Sequence, residues 1–142
     1  MLAPYEATAV FQVLLQHFRL ANLQCGKLLV CDEAHKYFNK NEKLGFTKTV
    51  TEAVRLMRHE GMRIVISSQS PEKIPIEMME LSSLTVLHPF VSVGWLNYLR
   101  GIYKISDEDF DEIMNLNSGE ALIHTRRFQG KFLKLSIRKK LT

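Results

Sequence analysis

The sequence contains little that could form a disulfide framework or a metal cluster. Two of its 142 residues are cysteines, Cys25 and Cys31, and they are not arranged as Cys-x-x-Cys. The five histidines are scattered without the spacing of zinc ligands. A disulfide-rich secreted fold and a zinc site are therefore not expected, and both cysteines are interpreted as small core residues in a reducing compartment.

The sequence also lacks a stretch that could enter or cross a membrane. No apolar run is long enough to span a bilayer. The first six residues lack the basic start of a signal peptide, and Gln12, Gln16 and His17 interrupt the apolar region that follows. We therefore expect a protein of the cytoplasm or nucleus without a membrane partner.

Neither charge nor sequence complexity singles out a partner or a second domain. The net charge is +4, with 19 basic and 15 acidic residues interspersed, an excess too small to indicate nucleic acid by itself. No internal repeat, low-complexity segment or linker divides the chain, and 46% of the residues are hydrophobic. Residues 1–142 are therefore predicted to form a single domain with one core.

The most informative stretch is segment 28–35, in which four apolar residues run directly into two carboxylates. A short unbroken apolar run is typical of a strand buried on both faces of a parallel sheet, and ligands of open α/β sheets lie at the carboxyl ends of the strands. Asp32 and Glu33 occupy that position. Asp32 could there hold Mg²⁺, directly or through water, and Glu33 could orient or deprotonate a water in line with a γ-phosphate. This is the Walker B pattern, although strand ends also carry solvated acids and helix caps.

A second predicted strand also ends in polar residues. Residues 64–66 are β-branched, and the strand they predict must stop before a nearby proline. Gln69 then lies at the end of a strand that is expected to neighbour the first. Upstream, Thr49 and Glu52 have the spacing of a capping box, so a helix is predicted from Thr49 to about Glu60.

The remaining elements alternate in type. An amphipathic helix over residues 5–20 is predicted to pack on the sheet, and segment 36–47 is predicted to be an exposed loop. Further predictions are helices over 75–81, 91–103 and 106–116, a strand over 84–90 and a hairpin around Gly130. The alternation predicts an α/β domain whose mostly parallel sheet is flanked by helices and ends in an antiparallel β-hairpin.

Three segments together resemble the P-loop ATPases of the HerA/FtsK type, which are ring-forming motors that move DNA. Segment 28–35 is similar to the family's Walker B strand. Segment 58–71 has its arrangement of an arginine, a glycine and a Gln-x-Pro, and segment 116–123 is similar to its Leu-x-x-Gly-x-Ala strand entry. The resemblance covers about residues 25–137 and implies a three-layer, RecA-like P-loop NTPase fold.

The resemblance also implies roles for single residues. Asp32 would hold Mg²⁺ at the bound ATP, Glu33 would be the catalytic base, and Gln69 would contact the γ-phosphate or the attacking water. Arg58 would act on the nucleotide of its own chain or of a neighbour, because an additional positive charge stabilises the transferred phosphoryl group. The implied cofactors are ATP and Mg²⁺, and the implied partners are other copies in a homo-oligomeric ring and DNA. An exposed arginine is otherwise only solvated or salt-bridged, and a glutamine can simply cap a strand end.

The sequence departs from the family at the phosphate-binding loop. It contains no Gly-x-x-x-x-Gly-Lys-Ser/Thr, so the backbone cradle and the lysine that hold the phosphates are missing. The chain is therefore interpreted as the carboxyl-terminal half of an ATPase core, which a Walker A-bearing chain or segment would complete. By itself it is expected to be inactive. Ser70 also stands where the family frequently has an arginine.

Other interpretations remain open on the sequence. Residues 32–35 also spell the signature of DEAH-box helicases, but those proteins predict a Ser-Ala-Thr motif after the next strand, where residues 67–69 read Ser-Ser-Gln. A non-catalytic binding or regulatory module with vestigial acids belongs to a different class. Basic residues of the C-terminal region could contact DNA phosphates, although side chains alternating towards solvent explain them equally well: Arg126, Arg127, Lys131, Lys134, Arg138, Lys139 and Lys140.

Overall fold

The chain divides into two compact units, Met1–Leu81 and Ser82–Thr142. The computed structural model describes residues 4–38, 45–125, 127 and 130–136. Unit 1 contains α1 (Pro4–Leu20), β1 (Lys27–Cys31), α2 (Gly45–Leu56), β2 (Met62–Ile66) and α3 (Ile76–Leu81), with 3-10 turns at Ala34–Lys36 and Pro71–Lys73. Unit 2 contains β3 (Thr85–Leu87), α4 (Val93–Arg100), α5 (Asp107–Met114), β4 (Glu120–His124) and β5 (Phe132–Ser136).

Unit 1 is built around a parallel pair of strands. β1 and β2 run in register from Lys27 opposite Met62 to Cys31 opposite Ile66. Parallel neighbours require a crossover, and α2 supplies it. Since both strands have five residues and end at the same level, the residues that follow them leave the sheet side by side.

Helices cover one face of this strand pair. Leu29 and Cys31 of β1 and Ile64 and Ile66 of β2 pack against the core of the unit. That core consists of seven buried residues from the helices and the connecting segments: Leu15, Ala34, Phe38, Val50, Val54, Ile74 and Met78. The alternation of side chains along a strand therefore brings every second residue of β1 and β2 to the covered face.

The opposite face of the pair is bare. Leu28, Val30 and Val65 point to it and are 60%, 57% and 51% exposed. The prediction that the first strand is buried on both faces is therefore wrong for this chain, because the described residues supply only one covering layer. The apolar stripe of α1 is also covered only in part, since Leu15 is buried whereas Leu14 is 58% exposed.

The helix α2 begins at Gly45, earlier than predicted. Thr49 is not its cap, since it is buried inside the helix and its hydroxyl donates to the carbonyl oxygen of Gly45 at 3.3 Å. Threonine can satisfy its hydroxyl in this way on the preceding turn, so the capping-box spacing was misleading. The helix ends at Leu56, and the chain reaches β2 through a turn that closes at Gly61 with φ +61°. Part of the predicted loop, residues 39–44, lies outside the described residues.

Unit 2 confirms the predicted antiparallel ending. Its sheet has the order β3-β4-β5, and both pairings are antiparallel. Ser106 caps α5 by accepting from the N–H of Asp109, whose carboxylate accepts in return from the Ser106 backbone. The α/β class, the parallel pairing of the first two strands and the terminal hairpin are thus confirmed, with the strands divided between two sheets. Among the described residues, no helix is long and apolar enough to cross a membrane.

Candidate functional site

A tight turn of the backbone holds the ends of β1 and β2 together. The Ser67 N–H donates to the Cys31 carbonyl oxygen at 2.9 Å, and the Ala34 N–H donates to the Ser67 carbonyl oxygen at 2.9 Å. Between them, Glu33 has φ 51° and ψ 39°, the left-handed conformation that residues other than glycine seldom adopt. Such backbone conformations concentrate at functional sites, where the surrounding bonds maintain them.

Asp32 is the carboxylate directly at the end of β1. Its Oδ1 accepts hydrogen bonds from the Ser67 hydroxyl and from the Glu33 backbone N–H, the latter at 3.0 Å. These bonds, that of Ser67 above all, hold the pKa of Asp32 below its usual range. Asp32 is therefore an ionised, accessible carboxylate that is bound by neutral donors and keeps its negative charge available.

Glu33 and Gln69 are brought into direct contact. The Gln69 Nε2 donates to Glu33 Oε1 at 2.7 Å, across the gap between the two strand ends. The sequence predicted both residues as parts of one site, and the parallel register explains the contact, since both follow the same end of the sheet. A carboxylate and an amide in this arrangement can together orient a water molecule.

Two further side chains lie against the second oxygen of Glu33. The His35 Nε2 is 3.5 Å and the Lys36 Nζ is 3.4 Å from Glu33 Oε2. Both belong to the 3-10 turn Ala34–Lys36, which follows the left-handed residue. Sequence reasoning did not assign a role to His35, Lys36 or Ser67. The register could have indicated Ser67, because it stands opposite Asp32 one residue beyond the last strand pair.

Arg58 lies at the other end of the strand pair. It is exposed in the turn between α2 and β2, ahead of the amino end of β2, whereas Gln69 follows the carboxyl end. The five residues of β2 separate the two ends by roughly 16 Å at about 3.3 Å per residue. The structure thus brings Asp32, Glu33 and Gln69 together at one end of the strand pair and places Arg58 at the other end.

The amino end of the strand pair, near Arg58, carries a salt bridge between two mostly buried side chains. Arg19 of α1 donates to both oxygens of Glu60, with Nε at 2.9 Å from Oε2 and NH2 at 2.7 Å from Oε1. The two side chains are only 13% and 19% exposed. The hydrogen bond from Arg19 lowers the pKa of Glu60 and raises that of Arg19.

The donor set at the carboxyl end suits a hard cation such as Mg²⁺. That ion prefers oxygen ligands, needs only one or two carboxylates from the protein and retains several waters. The ionised Asp32 and the adjacent Ser67 hydroxyl are of this kind. Within the described parts of the chain, no group of three or more His, Cys, Asp and Glu side chains is placed to hold a metal. Asp32 and the Ser67 hydroxyl would thus fit a cation that takes its remaining ligands from water or from a bound ligand.

An apolar cavity of about 290 Å³ borders Asp32 in the same unit. Aromatic side chains from α1, from the segment after the 3-10 turn and from the start of α2 line much of it, including Phe11, Tyr37 and Phe46. Phe11 and Tyr37 meet edge to face, with ring centroids 5.3 Å apart. Among the described residues, the lining is mostly apolar and aromatic, with Asp32 as its charged side chain.

Comparisons with known proteins give one family and one group of similar folds. A profile of the family described as zonular occludens toxin (Zot) matches residues 8–126. The genome-packaging NTPase B204 of Sulfolobus turreted icosahedral virus 2 is similar in structure. Its sulfate complex gives a TM-score of 0.77 at 20% identity over 94% of this chain, and its AMPPCP complex gives 0.76 at 20% identity over 94%. No curated protein matches the chain in sequence.

The likeness to B204 extends over only part of that protein. The aligned region covers 65% of the chain in the sulfate complex and 63% in the AMPPCP complex. This chain thus spans less than two thirds of the length of these structures. At such low identity the likeness shows the fold, which is that of the P-loop NTPases.

Proposed function

Since the chain belongs to the zonular occludens toxin (Zot) family, we propose that it is the Walker B-bearing half of an ATP-hydrolysing motor core of the HerA/FtsK type. The observation that carries this proposal is the cluster at the carboxyl ends of the parallel strands. There Asp32 is ionised and accessible, and Glu33 is bonded to Gln69. B204, whose fold is similar, was solved with ATP-gammaS and AMPPCP, which supports nucleotide binding by this class of site.

The residues of the site divide the task between them. Asp32, with the Ser67 hydroxyl beside it, would hold Mg²⁺, and that ion would neutralise negative charge on the phosphates. Glu33 would accept the proton of the attacking water, and Gln69 would orient the same water or the γ-phosphate. The contact between Glu33 and Gln69 at 2.7 Å keeps the two side chains beside each other.

The bare face of the strand pair supports the view that this chain is one part of the core. Parallel sheets are stable when both faces are covered, yet Leu28, Val30 and Val65 are exposed. Within the described residues, β1 and β2 each pair with one neighbour only, so each strand leaves one edge open. We propose that a strand-loop-helix segment with a phosphate-binding loop completes the unit: its strand would join an open edge and its helix would cover these three side chains.

That geometry would also bring the missing loop to the right place. A parallel strand added at an open edge ends at the same side of the sheet as Asp32, and the loop after it leads into a helix. A helix amino terminus presents backbone N–H groups to phosphate. Without such N–H groups, Asp32 and Glu33 would repel a polyanion. The same strand-loop-helix segment would therefore cover the apolar face and bind the phosphates next to the two acids.

The proposed partners follow from the same comparison. B204 is described as a DNA-packaging ATPase, and we propose that DNA is the polymer moved by the completed protein and that several copies form a ring in the cytoplasm or nucleus. The basic C-terminal strand gives this little independent support. Lys134 pairs with Glu120 at 3.0 Å, and Arg126 and residues 138–140 lie outside the described residues.

Arg58 could act only on the nucleotide of a neighbouring copy. Its position at the amino end of β2 separates it from the Asp32 site of its own chain. Its exposure, by contrast, allows contact with another subunit. We therefore propose that Arg58 acts across a subunit boundary.

The deciding experiment compares ATP hydrolysis by two forms of the protein. The chain alone should show no turnover above background. A form with a phosphate-binding loop, obtained by extending the reading frame upstream of Met1 or by adding a complementing chain, should hydrolyse ATP with Mg²⁺. Turnover by the chain alone that Glu33→Gln abolishes would contradict the need for completion. A completed form that binds ATP without hydrolysing it would favour a non-catalytic regulatory module.

A further inference from the structure

His35 links the two candidate catalytic side chains. Its Nε2 lies 3.5 Å from Glu33 Oε2, and its Nδ1 accepts a hydrogen bond from the backbone N–H of Gln69 at 3.4 Å. Gln69 in turn donates from its side chain to the other oxygen of Glu33 at 2.7 Å. The three residues therefore form a closed ring of contacts in which each touches the other two.

The backbone places His35 in this position. The left-handed Glu33 turns the chain out of the direction of β1, and the following 3-10 turn carries the imidazole back towards the end of β2. The Ala34 N–H anchors that turn on the Ser67 carbonyl oxygen at 2.9 Å. The His35 side chain is only 16% exposed, so its orientation is held by packing as well as by its polar contacts.

The contacts determine which ring nitrogen carries the proton. A nitrogen that accepts from an N–H group offers its lone pair, so Nδ1 of His35 must be unprotonated. The proton of the neutral imidazole is then on Nε2, the atom that faces the Glu33 carboxylate. A hydrogen bond made by one nitrogen thus fixes the function of the other.

We infer that His35, with its proton on Nε2, is a positioning residue that holds the Glu33 carboxylate and the Gln69 backbone at a fixed separation. This inference rests on the proposed function, which assigns Glu33 and Gln69 their roles. A base and an orienting amide that are already in place spare the reaction the cost of arranging them. The contacts involve only residues of this chain, so they can be measured in the chain alone.

The first test uses the unaltered chain and nitrogen-15 NMR of its histidine rings at mildly alkaline pH. The His35 ring should show a protonated Nε2 and an unprotonated Nδ1. Its ring protons should show a nuclear Overhauser effect to the side-chain protons of Glu33. A ring with its proton on Nδ1, or one protonated on both nitrogens, would overturn the inference. This measurement stands even where a substituted chain fails to fold.

The second test separates the two contacts by substitution and follows hydrogen exchange of the Gln69 backbone amide. In His35→Asn the amide oxygen replaces Nδ1 as acceptor, so exchange should stay as in the unaltered chain. In His35→Gln the side-chain amide reaches the position of Nε2 and leaves Gln69 without its acceptor, so exchange should become roughly 2- to 10-fold faster. The exposed His59→Gln is the matched control and should change nothing at Gln69.

The outcomes distinguish this inference from the proposed function. Equal exchange in His35→Asn and His35→Gln would overturn the positioning role, because a merely space-filling histidine has no preference between the two amides. Lack of ATP turnover in a completed form whose NMR contacts are as described would instead remove the proposed function and leave the contact ring in place.

Discussion

The two ends of the parallel strand pair carry acidic residues in opposite circumstances. At the amino end, Glu60 accepts hydrogen bonds from Nε and NH2 of the mostly buried Arg19. At the carboxyl end, Asp32 accepts a hydrogen bond from the neutral Ser67 hydroxyl, and Glu33 accepts one from the neutral Gln69 amide while the exposed Lys36 lies 3.4 Å from its other oxygen. The first arrangement neutralises a charge inside the protein, and the second keeps a negative charge accessible.

Under the proposed function, this difference separates an acid that stabilises the fold from acids that act on a ligand. A bidentate guanidinium balances the charge of a carboxylate with strong, oriented hydrogen bonds. A hydroxyl or an amide orients a carboxylate and leaves its charge to be balanced by a ligand. The expectation is that substitutions at the amino end change folding, whereas substitutions at the carboxyl end change chemistry.

The substitution with the greatest predicted effect is an exception to this expectation. Arg58 lies at the amino end, but its substitution should change turnover and leave folding intact. In rings of a completed form, Arg58→Ala should lower turnover by about 10³- to 10⁵-fold, the range for an arginine supplied by a neighbour. Folding and the nucleotide affinity of single subunits should be unchanged. Arg55→Ala is the matched control, since Arg55 is also exposed on this segment but is paired with Glu77.

Mixed rings decide whether Arg58 acts across the boundary. Subunits with Glu33→Gln and an intact Arg58 are combined with subunits that carry Arg58→Ala. An intact Glu33 site then lies next to an intact arginine, and ATP turnover should reappear. Absence of recovery in rings of verified mixed composition would assign Arg58 to the protein surface.

A second substitution tests whether the carboxyl end serves chemistry and not folding. Glu33→Gln in a completed form should lower kcat by about 10²- to 10⁴-fold, since the amide keeps the shape of the side chain but cannot accept a proton. ATP affinity should be preserved, and equilibrium binding with a labelled nucleotide checks it. Glu108→Gln on α5 is the control at an exposed position. Equal losses of binding and turnover would indicate that Glu33 holds the metal or the fold.

The third effect concerns stability and should fall on the other end. Glu60→Gln should lower the free energy of unfolding by about 1–2 kcal/mol, because the mostly buried Arg19 would lose its bidentate charged partner and keep only Glu52 at 3.8 Å. Glu33→Gln should change the same quantity by no more than about 0.5 kcal/mol. Urea unfolding of the chain alone measures both. If Glu33→Gln destabilised the chain as strongly as Glu60→Gln, the two ends would not differ in the way described.

The smallest expected effect is the pH dependence of that stabilisation. Because Arg19 lowers the pKa of Glu60, the ionised carboxylate is favoured in the folded chain. Its contribution is complete above the ordinary pKa of glutamate and is lost as the pH falls through the lowered folded value. The stability difference between the unaltered chain and Glu60→Gln should therefore shrink on acidification in urea unfolding at a series of pH values. A difference that is constant with pH would contradict the assignment.

The sequence predicted the carboxyl end well because its signals are local. Segment 28–35 changes from apolar to acidic within one step, and Gln69 follows a short β-branched run. Parallel strands of equal length then place Asp32, Glu33 and Gln69 together, and the observed register confirms that placement. The hairpin and the helix over residues 106–116 were predicted for the same reason, since each depends on a few adjacent residues.

Other features depended on distances that no local pattern contains. The capping-box spacing at Thr49 has the same letters inside a helix as at its start, and burial of the threonine decided between them. The sequence left open whether Arg58 acts on the nucleotide of its own chain or of a neighbour, and only the structure shows that the whole length of β2 lies between Arg58 and Gln69.

The sequence was sufficient to predict the class of the fold and the position of Asp32, Glu33 and Gln69 at the strand ends, because apolar periodicity is a short-range signal. The tertiary structure alone decided which acid is paired and which is accessible, that one face of the strands is bare, and that His35 closes the ring between Glu33 and Gln69. Those properties arise from contacts between residues far apart in the chain, such as Arg19 with Glu60 and His35 with Gln69, and from a left-handed turn that sequence periodicity does not predict.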